Sequence, residues 1–175
     1  MVRHTAPGAV EWIESGGGPL IVVPEAALSA WRGADGDDWE DYDRACEVDG
    51  RQGLVAVGPS SALVLGSEPA STTFLPDRDT FVRWIAADSE GRLLDSVDAA
   101  LASAVWEETT VWDVPGPVVL FDAACPGSAL DEADVLRITL PPGRYTVRAA
   151  QVTPIPRTTL CLVQLIACGS SHTHA

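Results

Sequence analysis

"WIESGGGPLIVVP", residues 12–24, is the stretch whose reading decides the fold class. Three glycines stand between two apolar segments. A phosphate-binding loop needs a strand before its glycines and a helix after them, so that the helix N-terminus faces the anion, and it needs a Lys-Ser/Thr pair. Here Pro19 and then the β-branched run to Val23 follow, and there is no such pair. The glycines are therefore read as a hairpin turn between strands at 9–15 and 19–24, where they supply the positive φ values a tight turn demands. The same residues lack the G-x-G-x-x-G strand-to-helix context of a dinucleotide site.

Working outward, residues 24–33 open like a helix, with Pro24 before Glu-Ala-Ala-Leu and Gly33 at the end. An acidic segment follows, in which eight of the fifteen residues from Asp35 to Asp49 are acids. Its first half reads as a loop and 41–48, "DYDRACEV", alternates enough for a strand. Strands are expected at 53–58 and 62–68. A hairpin is expected from 71–76 and 80–88 around Asp-Arg-Asp, although Phe81, Trp84 and Ile85 also fit a helical face. The clear helix is 89–105, where Leu93, Val97, Leu101 and Val105 recur every four residues. Strands return at 109–114, 117–123, 135–140, 145–152 and 158–168, and 169–175 reads as a frayed tail.

The expected fold class is α+β, predominantly antiparallel β-sheet, with one principal helix (89–105) packed on or between two sheets. The chain reads as a single domain, 1–175. "GPLIVVPEAAL" (18–28) lines up with "GPVVLFDAACP" (116–126), Trp12 and Trp112 precede them, and "STTFLP" (71–76) lines up with "RTTLCL" (157–162). This suggests a tandem pair of related β-rich halves, 9–88 and 107–168, joined by the helix.

The 175 residues carry 25 acids against 11 bases, a formal net charge of −14, and every base is arginine. Such a chain is repelled by nucleic acid and by anionic membrane, and it attracts basic partners. The N-terminal residues lack the apolar core of a signal peptide, and no apolar run approaches the roughly 20 residues that span a bilayer. A cytoplasmic protein is expected, with Cys46, Cys125, Cys161 and Cys168 as free thiols.

Candidate chemistry is sparse. His4, His172 and His174 are the three histidines, all near the termini. A terminal His-Thr-His lacks the fixed geometry of a metal site, and a Ser-His-Asp triad would need one of these ends deeply placed. Read as a calcium loop from Asp35, the acidic segment puts Trp39 at position 5 and Cys46 at position 12, so the pattern fails. Glu107–Glu108 and Glu11–Glu14 are carboxylate pairs to which no catalytic role is assigned. No metal site, cofactor or catalytic residue is expected. The acidic segment interleaves acids with aromatics, which are favoured interface anchors. Its candidate docking residues are Asp35, Asp37, Asp38, Trp39, Glu40, Asp41, Tyr42 and Asp43.

Taken together, "WIESGGGPLIVVPEAALSAWRG", "DYDRACEV", "ALVLGSEPASTTFLP", "FVRWIAADSE", "WEETTVW", "GPVVLFDAA" and "LPPGRYTVRA" resemble the immunity protein 21 family of bacterial polymorphic toxin systems. The resemblance runs from about residue 11 to 166. Its most specific pieces are Gly-Gly-Pro-Leu, Asp-Tyr-Asp-Arg, and Phe-Val-Arg-Trp followed by Ala-Asp-Ser-Glu. It implies an intracellular binding protein, not an enzyme, that neutralises a cognate toxin domain, and it carries over no catalytic residue. A nuclease toxin must be basic to hold its substrate, so an acidic partner could mimic that substrate. The alternative is a general protein- or small-ligand-binding module without catalysis, which would show an apolar cleft between the sheets. An enzyme would need convergent polar groups with perturbed pKa values in such a cleft.

Overall fold

The computed structural model describes residues 10–35, 39–66 and 68–169, with the side chain of residue 108 excepted. Strands β1 (Leu20–Pro24), β2 (Gly53–Val57), β3 (Ser60–Val64), β7 (Val118–Asp122) and β8 (Leu136–Ile138) form sheet I in the order β2-β3-β1-β7-β8. Strands β4 (Thr72–Leu75), β5 (Thr80–Ala86), β6 (Glu107–Val114), β9 (Gly143–Ile155) and β10 (Thr158–Ala167) form sheet II in the order β4-β5-β10-β9-β6. Every pairing is antiparallel. The chain is α+β and β-dominated.

The sheets stack face to face. Leu20, Val22 and Leu120 of sheet I meet Phe81, Trp112 and Val163 of sheet II in the central core. Residues alternate across a strand, so Ile21 and Val23 point the other way. β1 is buried on both faces, which is why it reads as an unbroken apolar run instead of an alternating one. The indole Nε1 of Trp112 donates to the Ser61 carbonyl (2.9 Å), tying β6 to β3 across the core. The first half of the chain supplies β1–β5 and the second β6–β10. They meet in both sheets, through β1–β7 and β5–β10.

The glycine stretch is not a hairpin turn. Ile13 makes a single bridge to Thr72 at the β4 edge of sheet II, whereas β1 lies between β3 and β7 in sheet I. The three glycines carry the chain from one sheet to the other. Gly17 has φ +135°, and the Gly16 N–H donates to the Asp122 carboxylate (2.8 Å). The expected strand at 9–15 is, over its described residues 10–15, reduced to that one bridge, because its alternation is weak and its partner is a four-residue edge strand.

The segment 41–48 is helical, not extended: α1 spans Glu40–Cys46. One of its side chains, Ala45, is fully buried, so neither helical nor strand periodicity dominates its sequence. A short 3-10 turn, Glu25–Ala30, lies beside it over the outer face of sheet I.

The expected principal helix packs on the outer face of sheet II, broken into α2 (Glu90–Asp95) and α3 (Val97–Ser103). The Ser89 hydroxyl caps it by accepting from the Arg92 N–H (3.1 Å). At the break, the buried Ser96 turns its hydroxyl onto the Leu93 carbonyl (2.7 Å), which competes with helical bonding. The helix ends at Ser103, so Val105 leaves the apolar stripe and is exposed. β9 also runs further than expected, through Pro154. There it has outrun β6, whose pairing starts at Ala149, and it lies beside the register shift against β10, where a missing N–H is tolerated. No helix among the described residues is long and apolar enough to cross a membrane.

Candidate functional site

α1 is held to the body of the protein by polar ties more than by apolar burial. The Asp41 carboxylate accepts from the Arg32 backbone N–H (2.8 Å) and from Arg44 Nη2 (2.6 Å). Arg44 also donates to the Ala56 carbonyl (3.0 Å), and its guanidinium lies 5.9 Å from the Trp31 ring centre. Trp31 is buried, with its indole N–H on the Ala123 carbonyl (3.0 Å). Asp41 is thus an anchor of the helix.

Tyr42 is a second anchor. Its hydroxyl stands against Gly18, where any Cβ would collide with it. This is the structural reason for glycine at the end of the glycine triplet. The Tyr42 phenol titrates above its usual range, first through its hydrogen bond with the Cys46 side chain and then through burial, with Asp122 and Asp43 adding negative charge nearby.

The remaining side chains face outward. Trp39 is 51% exposed and touches the Tyr42 ring edge-on, with centroids 6.0 Å apart at 77°. Glu40, Asp43 and Glu47 are exposed at i, i+3 and i+7, one face of the helix. Asp35 is exposed just before it. Asp37 and Asp38 lie outside the described residues, as do His4, His172 and His174. The expected site residues therefore separate into anchors, Asp41 and Tyr42, and an outer face of Asp35, Trp39, Glu40 and Asp43. Glu47 belongs to that face too. The acids at 40, 43 and 47 already stood at helical spacing, a signal outweighed by the alternation of 41–48.

The middle of the space between the sheets is filled by the central core, and a pocket of about 240 Å³ opens at its edge beside Arg83 and Cys161. A shallow concavity of about 270 Å³ lies on Glu25, Ala26 and Pro115–Pro117. Among the described residues, no three His, Cys, Asp or Glu side chains cluster as metal ligands would.

The family model described as Immunity protein 21 matches residues 11–158 and stops at the start of β10. The chain belongs to the immunity protein 21 family. No curated protein and no solved structure matches it.

Proposed function

We propose that this member of the immunity protein 21 family neutralises a cognate bacterial toxin domain by direct binding in the cytoplasm, and that the outer face of α1 is the docking surface. The observation that carries this reading is the division of labour on α1. Asp41 and Tyr42 fix the helix, while Trp39 and the acids Glu40, Asp43 and Glu47 are presented outward. A large aromatic half exposed beside like charges is a poor choice for a surface with no partner, and a suitable anchor for one that is covered on binding. The acids select a basic partner, accelerate encounter and repel wrong ones. A basic nuclease has that character, because it must hold a polyanion. The protein acts by occupying such a surface and not by chemistry of its own.

The test is co-expression with the toxic domain encoded beside it. Rescue of growth and a 1:1 complex on size exclusion are expected. Combining Asp35→Asn, Glu40→Gln, Asp43→Asn and Glu47→Gln spares the anchor Asp41. It should slow association about tenfold or more at low salt and flatten its dependence on ionic strength. Binding unchanged in this variant and in Trp39→Ala would move the docking surface off α1. No rescue by folded wild-type protein would end the toxin reading.

A further inference from the structure

The inner face of sheet II is apolar along the rung formed by Phe74, Phe81, Val163 and Ala149, which lie side by side across β4, β5, β10 and β9. Two residues further along, the next rung is Thr72, Arg83, Cys161 and Gln151. Polarity crosses four of the five strands at this level. Arg83 lies in the "FVRW" segment and points the same way as Phe81, toward the opposing sheet.

Arg83 is 3% exposed. Its Nη2 donates to the Glu68 backbone carbonyl, and its Nε has no hydrogen-bond partner among the described residues. Arg44, Arg51, Arg78, Arg137, Arg144 and Arg157 all form ion pairs, and Arg83 forms none among the described residues. Burial pulls its pKa down, partly opposed by the nearby charges of Cys161 and Glu68 and by a side-chain hydrogen bond with Cys161. A guanidinium nevertheless stays charged, because its intrinsic pKa is so high. A buried charge is costly unless paired, and removing a polar side chain from water is repaid only by a partner.

The guanidinium borders a pocket of about 240 Å³ whose walls include Gly50, Arg51, Gly66, Gln151 and Cys161. Gly66 has φ +73°, and a Cβ there would sit 2.8 Å from Arg83 Nη1. The loop after β3 therefore passes close enough to Arg83 that a side chain would crowd the pocket. Arg51 brings a second positive charge to the wall while its Nη1 pairs with Glu107 (3.1 Å). Glu68, exposed at the rim, is the one acid lining the pocket among the described residues.

We infer that this pocket binds a small oxyanion, a carboxylate or phosphate group, seated on the Arg83 guanidinium with Arg51 beside it. Planar, fork-like donors suit such oxygens, and charge-assisted bonds in a low-dielectric site are the strong ones. The inference stands on the pocket's chemistry and is independent of the toxin reading. The anion can be a free solute, or the carboxylate of a bound protein.

Calorimetric titration of the full chain with sodium phosphate and with sodium acetate, against chloride at matched ionic strength, is the test. Saturable binding is expected, at least tenfold weaker in Arg83→Met. Glu68→Gln keeps the backbone carbonyl that Arg83 uses and removes the acid at the rim, so it should bind the anion severalfold tighter. It decides the matter if Arg83→Met does not fold. No saturation by about 50 mM anion, or saturation indifferent to the substitutions in folded protein, overturns the inference and leaves water as the guanidinium's partner. Where a toxin complex forms, competition by phosphate identifies a protein carboxylate as the ligand, and its absence identifies a free anion.

Discussion

The two sheets are each covered on their outer face by helix, and by opposite means. Over sheet II, α2 and α3 bury Leu93, Val97 and Ala100 against Val82, Leu160 and Leu162. Over sheet I, α1 buries Ala45 alone and relies on Asp41 and Tyr42 for its position. Apolar burial is non-directional, so the first cover tolerates a break at Ser96 without leaving the sheet. Polar ties are directional and few, so the second cover is placed accurately but holds little apolar area. A helix that spends so little of its surface on the core has most of it available for a partner.

The sharpest way to break the comparison is to delete the apolar cover. Leu93→Ala should cost about 3 kcal/mol through lost burial and the cavity left behind. The urea midpoint should fall while toxin affinity per folded molecule stays unchanged. A comparable loss of affinity would mean that the two covers are not separate. Gly18→Ala attacks the other cover at one point of contact. Displacing Tyr42 should cost about 1–2 kcal/mol. Unlike Leu93→Ala, it should also change Trp39 fluorescence and weaken binding, because α1 must shift.

The smallest effect concerns the ion pair that fastens α3 to the β4–β5 turn. Arg78 holds Asp98 through two hydrogen bonds of 2.6 and 2.9 Å and keeps its carboxyl below the ordinary range. A carboxyl with a depressed folded pKa stabilises fully above the unfolded value, near 4, and loses that contribution as pH falls through the folded value. Stability measured from pH 5 to pH 2 should therefore decline slightly less in Asp98→Asn than in the wild type. Both groups are exposed, so 1 M salt should erase most of the difference.

The same contrast separates what sequence patterns reveal from what they hide. Leu93, Val97 and Leu101 announce their helix because its one task is to bury a stripe. Its break is hidden, since Ser96 acts through a local bond to the Leu93 carbonyl that no periodicity reports. α1 read as a strand because its contacts are made by backbone, carboxylate and glycine, which leave no hydrophobic period. The glycine triplet was legible as a structural bend, but not as a crossing between sheets. That depends on Ile13 finding Thr72 some sixty residues away in sequence, a long-range pairing that short-range pattern does not encode. Arg83 stood in the sequence only as part of the Phe-Val-Arg-Trp run, with no local pattern to mark its burial. Its meaning rests on the rung it shares with Cys161 and Gln151.

The pairing of β1 with β7 also sets a timetable. β1 begins at Leu20 and β7 at Val118, so at about 5–20 residues per second a ribosome releases them roughly 5–20 s apart. Until then Leu20–Val23 lacks the neighbour that covers one of its edges, and β5 in turn waits for β10, which begins only at Thr158. A nascent chain interrupted before its second half can close neither sheet. Folding of this protein is therefore all-or-none per molecule, complete only once β10 has emerged.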